Sequence, residues 1–100
     1  MVREKELNCQ KALEDVLMAE FPQCEYAVGE YKEDAICLQR ETKGWGVYNG
    51  YRNTHDNLSL HANIVDACLD MLNKLCVGDE NTLHALKKAF FDTIVADHIV

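Results

Sequence analysis

The spacing of apolar and polar residues changes along this chain, and each change marks a different element. Between residues 3 and 20, Cys9, Leu13, Val16, Leu17 and then Phe21 fall on one helical stripe, with Leu7 alongside. Glu4, Glu6, Lys11, Glu14, Asp15 and Glu20 take the other side, which predicts an amphipathic helix. Pro22 ends it, because its ring disfavours a helical residue before it and removes a backbone donor.

From Cys24 the period falls to two. Tyr26, Val28 and Glu30 alternate in an expected strand over 24–31, and Lys32-Glu33-Asp34 reads as a turn. Ile36 and Leu38 then point one way and Cys37 and Gln39 the other, predicting a second strand over 35–41. Thr42-Lys43-Gly44 suits a hairpin loop, with Gly44 free to adopt a positive φ. In a third strand over 45–52, Trp45, Val47, Asn49 and Tyr51 share one face and Tyr48 takes the other. Asn53 to Asn57 reads as a polar loop, and Leu58-Ser59-Leu60 as a candidate fourth, edge strand over 58–61.

The helical period then returns. Asn63 with Asp66 three positions on reads as an N-cap with an acid in the first turn, opening a helix over 64–77. Its apolar side carries Ile64, Cys68, Met71, Leu72, Leu75 and Cys76, and Gly78 stands where a chain leaves a helix. Asp79 and Glu80 begin a last helix over 80–97, with Leu83, Leu86, Phe90 and Ile94 inward and Phe91 and Val95 widening that face. The expected architecture is α+β: a three- or four-stranded antiparallel meander carrying an N-terminal helix and two C-terminal helices. One hundred residues suit a single domain.

Composition narrows the function classes. With 48% apolar and 27% charged residues the chain has a globular balance. No apolar run approaches the ~20 residues of a membrane span. The charged amino end lacks a following apolar region, so no signal peptide is expected and the cytoplasm is the expected location. The net charge of −7 argues against nucleic acid as a ligand, since phosphate binding relies on clustered Lys and Arg. It favours a basic protein partner. Cysteines 9, 24, 37, 68 and 76 are odd in number and lack C-x-x-C spacing, which suggests reduced thiols, most of them core residues.

Candidate chemistry is sparse. His55, Asp56 and His61 could approach a metal, with Arg52, Tyr48 and Tyr51 close by in sequence, but no third nitrogen or thiolate ligand is evident. This trio supports a small metal-dependent hydrolase only as a minor alternative. Ser59, the sole serine, lacks a G-x-S-x-G elbow, and Gly44-Trp45-Gly46 lacks the lysine and helix of a phosphate loop. His84 and His98 fall on the last helix. No catalytic, cofactor-binding or metal-binding residue is assigned. Two acidic groups stand out instead: Glu30, Glu33 and Asp34 around the first turn, and Asp66 and Asp70 along one helix.

Trp45, Val47, Tyr48 and Arg52, followed by Asp66-Ala67-Cys68, Met71-Leu72 and Leu75, form a pattern over residues 36–75. It resembles small bacterial immunity proteins of contact-dependent growth inhibition and related polymorphic toxin systems. Tyr51 and Asn53 stand where that pattern has glutamate and glycine. The resemblance implies a non-enzymatic protein, without a cofactor, that neutralises a cognate toxin with a basic surface, a nuclease being the expected kind. The resemblance does not place the contact surface; the two acidic groups do, making Glu30, Glu33, Asp34, Asp66 and Asp70 the expected partner-binding residues. A regulatory or adaptor module that takes a peptide along Leu58–Leu60 is the alternative.

Overall fold

The computed structural model describes residues 3–96. Its elements are α1 (Glu4–Met18), a single 3-10 turn (Gln23–Glu25), β1 (Tyr26–Val28), β2 (Ile36–Glu41), β3 (Gly44–Tyr51), β4 (Thr54–His61), α2 (Ile64–Leu75) and α3 (Glu80–Ala96). This is the expected α+β arrangement, with one sheet in the order β1-β2-β3-β4. His98 lies outside the described residues.

The helices and one face of the sheet enclose the main core. Cys9, Leu13, Val16 and Leu17 of α1 meet Leu38, Trp45 and Val47 of the sheet. Ala67, Cys68, Met71 and Leu72 of α2 join them, as do Leu86, Phe90 and Ile94 of α3. The helical stripes therefore bury largely as their spacing requires. Leu7, Phe91 and Val95 are exceptions and face outward, so the buried stripes of α1 and α3 are narrower than expected. Trp45 is fully buried, and its indole N–H donates to Glu6 Oε2 at 2.9 Å. The other Glu6 oxygen accepts from the Arg3 backbone N–H at 3.1 Å, so one carboxylate closes the first turn of α1 and ties it to β3. This bonding, led by the indole, holds the Glu6 carboxyl below the usual glutamate range.

Caps set the ends of the later helices. Asn63 Oδ1 accepts from the Asp66 backbone N–H at 2.9 Å, as its position predicts. Asp79 does the same for α3, accepting from the Thr82 N–H at 3.1 Å and the Thr82 hydroxyl at 2.6 Å. Those bonds hold the Asp79 carboxyl low. Gly78, at φ +84°, turns the chain between the two helices.

The sheet differs from a pure meander at its first strand. β1 pairs parallel with β2, Tyr26 opposite Ile36 and Val28 opposite Leu38, whereas the other two pairings are antiparallel. The strand expected over 24–31 shrinks to Tyr26–Val28, and Lys32-Glu33-Asp34 does not make a hairpin. A strand this short spans only ~10 Å, so the segment 29–35 suffices to carry the chain back to the same end of the sheet. The returning strap crosses the face away from the helices. There Tyr31 packs with Ala27, Ala35, Cys37 and Tyr48 in a second, small cluster. Gly50 is what lets the strap lie flat, because a Cβ there would overlap the Lys32 carbonyl.

β4 is longer than the sequence suggests. Arg52 and Asn53, at φ +50° and +63°, make a two-residue hairpin turn with Tyr51 opposite Thr54. Of the residues expected as a polar loop, Thr54 to Asn57 are strand and Asn53 belongs to the turn, and a bulge between Val47 and Asn49 accommodates Asn57 at φ +54°. Gly44 has a positive φ of +147°, and a side chain there would overlap the His61 carbonyl.

Candidate functional site: an acidic groove at the end of the sheet

α2 ends at Leu75, and beyond it the helix-bearing face of the sheet opens into a groove of about 490 Å³. The 3-10 turn supplies Glu25, the end of the strap Asp34, the end of β3 Asn49 and Tyr51, and the start of β4 Asp56. Lys74 and Leu75 form the α2 side. Among the described residues the carboxylates of Glu25, Asp34 and Asp56 have no ion-pairing partner. Tyr51 stands 46% exposed at the rim, with the Arg52 guanidinium 5.1 Å from its ring centre.

Lys74 does not neutralise the groove. Its ammonium donates to Asp70 Oδ2 at 3.2 Å, Ser59 Oγ at 3.0 Å and the Val47 carbonyl at 3.4 Å. Asp70 Oδ2 also lies 2.8 Å from His61 Nε2. These groups stitch α2 to β3 and β4. The arrangement brings the only serine next to a lysine, but an ammonium that donates all three protons cannot act as a general base for that serine.

The five carboxylates expected at a contact separate into different settings. Asp34 lines the groove. Glu33 works within the fold, accepting from the Arg52 backbone N–H at 2.8 Å and the Tyr31 hydroxyl at 2.7 Å, so it pins the strap to the β3–β4 turn. Glu30 is exposed at the start of the strap. Asp66 sits in the first turn of α2, where its side chain accepts from Asn63 Nδ2 at 3.0 Å. Asp70 is held by His61 and Lys74. Sequence spacing did not reveal Glu25 and Asp56 as neighbours of Asp34, since their meeting depends on the parallel return of the strap. The Asp70–Lys74 pair did carry a signal, being an acid and a base four apart on a helix.

His55, Asp56 and His61 do not converge. His55 lies on the strap face, stacked on Tyr48 with ring centres 3.8 Å apart, and its Nδ1 is 3.2 Å from Glu41 Oε1. His61 faces α2 on the opposite side of the sheet. Tyr31 completes the aromatic stack, 6.2 Å from Tyr48 and 6.0 Å from His55. Burial pushes the Tyr48 hydroxyl well above the usual tyrosine range, so it stays protonated and donates to Gln39 Oε1. Among the described residues no group of three or more His, Cys, Asp or Glu is placed to hold a metal ion.

Cys9, Cys37, Cys68 and Cys76 are buried and Cys24 is exposed, all as free thiols. The Cys9 and Cys68 sulfurs lie 3.9 Å apart between α1 and α2, a contact of unbonded thiols. Contact with Cys9 and burial push the Cys68 thiol up, away from a reactive thiolate. No helix among the described residues is long and apolar enough to cross a membrane. Compared with models of known protein families, with curated proteins and with solved structures, the chain matches none.

Proposed function

We propose that this protein is an immunity protein, which binds a cognate toxin in the cytoplasm and blocks the toxin's active site without chemistry of its own. The observation that carries this reading is the groove where Glu25, Asp34 and Asp56 meet beside Tyr51. Three carboxylates outnumber the cations beside them, Lys74 engaged by Asp70 and Arg52 lying against Tyr51 at the rim, which gives a concave surface of net negative charge suited to lysine and arginine side chains. An exposed tyrosine at the rim adds the kind of aromatic anchor that interfaces favour. The net charge of −7 extends the same field over the molecule and would speed capture of a basic protein. A nuclease fits, because its substrate cleft must be basic to hold a polyanion. The resemblance over residues 36–75 supports the same class.

Binding is expected to be stoichiometric. Mixed with the toxin encoded immediately upstream of its gene, the purified protein should form a 1:1 complex and abolish toxin activity. Absence of both complex and inhibition would overturn the proposal.

A further inference from the structure

Cys9 and Cys68 meet in the core from distant parts of the chain. Cys9 lies on the buried stripe of α1 and Cys68 on that of α2, 59 residues further on, and their sulfurs are 3.9 Å apart. Both side chains are fully buried. The other cysteines have different surroundings. Cys37 donates to backbone carbonyls of the strap, at Lys32 and Ala35, on the opposite face of the sheet. Cys76 follows Cys68 by about two turns of helix, and Cys24 is exposed.

The distance suits bond formation. Two sulfurs joined in a disulfide stand ~2.05 Å apart, so these need to close by about 2 Å. A step between staggered rotamers swings a cysteine sulfur farther than that. The pair is also asymmetric. The Cys68 thiol donates to the Cys9 sulfur and holds the Cys9 thiol below the usual cysteine range, while that contact and burial push Cys68 up. Cys9 is therefore the first nucleophile and Cys68 the thiol that follows. Between the two in the chain lie all four strands, the strap and the groove carboxylates Glu25, Asp34 and Asp56. A bond from Cys9 to Cys68 closes the whole sheet inside one loop, and the stabilisation by such a loop grows with its length.

We propose that Cys9 and Cys68 are a redox-sensitive lock, which an oxidised small-molecule disulfide closes by joining α1 to α2 and a reducing thiol pool opens. Because both sulfurs are covered, closure begins when α1 lifts far enough from the sheet to admit the small disulfide. The Cys9 thiolate attacks one sulfur of that disulfide, breaks its S–S bond and releases one small thiolate. The Cys68 thiolate then displaces the second small thiolate from Cys9. The protein gives up two electrons and two protons, and the protons end on the two small thiols released. The inference does not depend on a toxin partner.

Oxidised glutathione is the probe, applied near neutral pH to the full chain carrying Cys24→Ser, which removes the exposed thiol that would otherwise take it up. The expected product carries no adduct, is lighter by two hydrogens, and yields a peptide map in which residues 9 and 68 are linked. Its melting midpoint should exceed that of the reduced protein by roughly 10 °C or more, and dithiothreitol should reverse the rise. Cys68→Ala in the same chain should show neither the mass change nor the rise. Glu6→Ala, which frees the first turn of α1 from Trp45, should form the bridge several-fold faster. Thiols that stay free, glutathione adducts without a bridge, or a bridge through Cys37 or Cys76 would overturn the proposal. So would a Cys9–Cys68 bridge that fails to raise the midpoint. A bridge formed no faster in Glu6→Ala would overturn the lifting of α1 as its route.

Discussion

Trp45 and Glu6 show how one residue pair joins helix to sheet. The indole is fully buried and its N–H has a single acceptor, a carboxylate that also serves the first turn of α1. Glu6→Ala leaves that donor unsatisfied and should destabilise the protein by about 1–3 kcal/mol in urea unfolding near neutral pH. The acid dependence has a definite sign. Because the folded protein holds the Glu6 carboxyl low, its contribution is complete above the unfolded-state pKa and is lost as pH falls through the lower folded value. Stability measured down through the carboxylate range should therefore fall more steeply for the wild type than for Glu6→Ala. Equal slopes would show that the pair contributes nothing to acid sensitivity.

At the scale of elements, the strap is the feature that shapes the site. It depends on Gly50, where an added methyl meets the Lys32 carbonyl, a backbone atom that cannot simply rotate aside. Gly50→Ala should cost about 1–3 kcal/mol, the range for overpacking, and lower the melting temperature by several degrees. Gly78→Ala is the useful contrast. Nothing lies within 4 Å of a Cβ there, so its smaller cost, ~1 kcal/mol, should come from the positive φ alone. A Gly50→Ala protein as stable as the wild type would mean that the strap does not press on β3.

The helices, β2, β3 and the alternation that buries Trp45 and Val47 were all legible in the sequence, because their spacing reports which face meets the core. The direction of β1 was not. A three-residue strand carries too little alternation to fix its partner, and Lys32-Glu33-Asp34 has the composition of a turn whether it closes a hairpin or ends a crossing strap. β4 was hidden for a different reason. Its outer edge and strap face are solvated, so Thr54 to Asn57 need no apolar side chains to be a strand. The Arg52-Asn53 turn was the missed clue, since asparagine tolerates the left-handed region that such hairpins require. The groove inherits both gaps. Asp34 could be singled out from the sequence, but its neighbours Glu25 and Asp56 meet it only through the strap and the extended β4.

For the whole molecule, charge and shape lead to one account. An acidic body carries at one end of its sheet a groove with unpaired carboxylates, while Asp70 pairs with Lys74 behind it and lies within hydrogen-bond distance of His61. Asp34 occupies a left-handed backbone position at φ +59°, so Asp34→Asn, which tolerates that conformation, is the substitution that removes its charge without added strain. Glu25→Lys and Asp56→Lys reverse the other two at exposed positions. The most direct measurement is the association rate of the protein with the cognate toxin that the proposed function requires, followed by stopped flow at low and high salt. For the wild type the rate should fall steeply with salt, and the triple variant should associate roughly tenfold or more slowly at low salt with a much flatter salt dependence. Asp66→Lys, on the exposed first turn of α2, should change it far less. Wild-type and triple-variant rates that coincide at every salt concentration would contradict the claim that the acidic groove receives the partner.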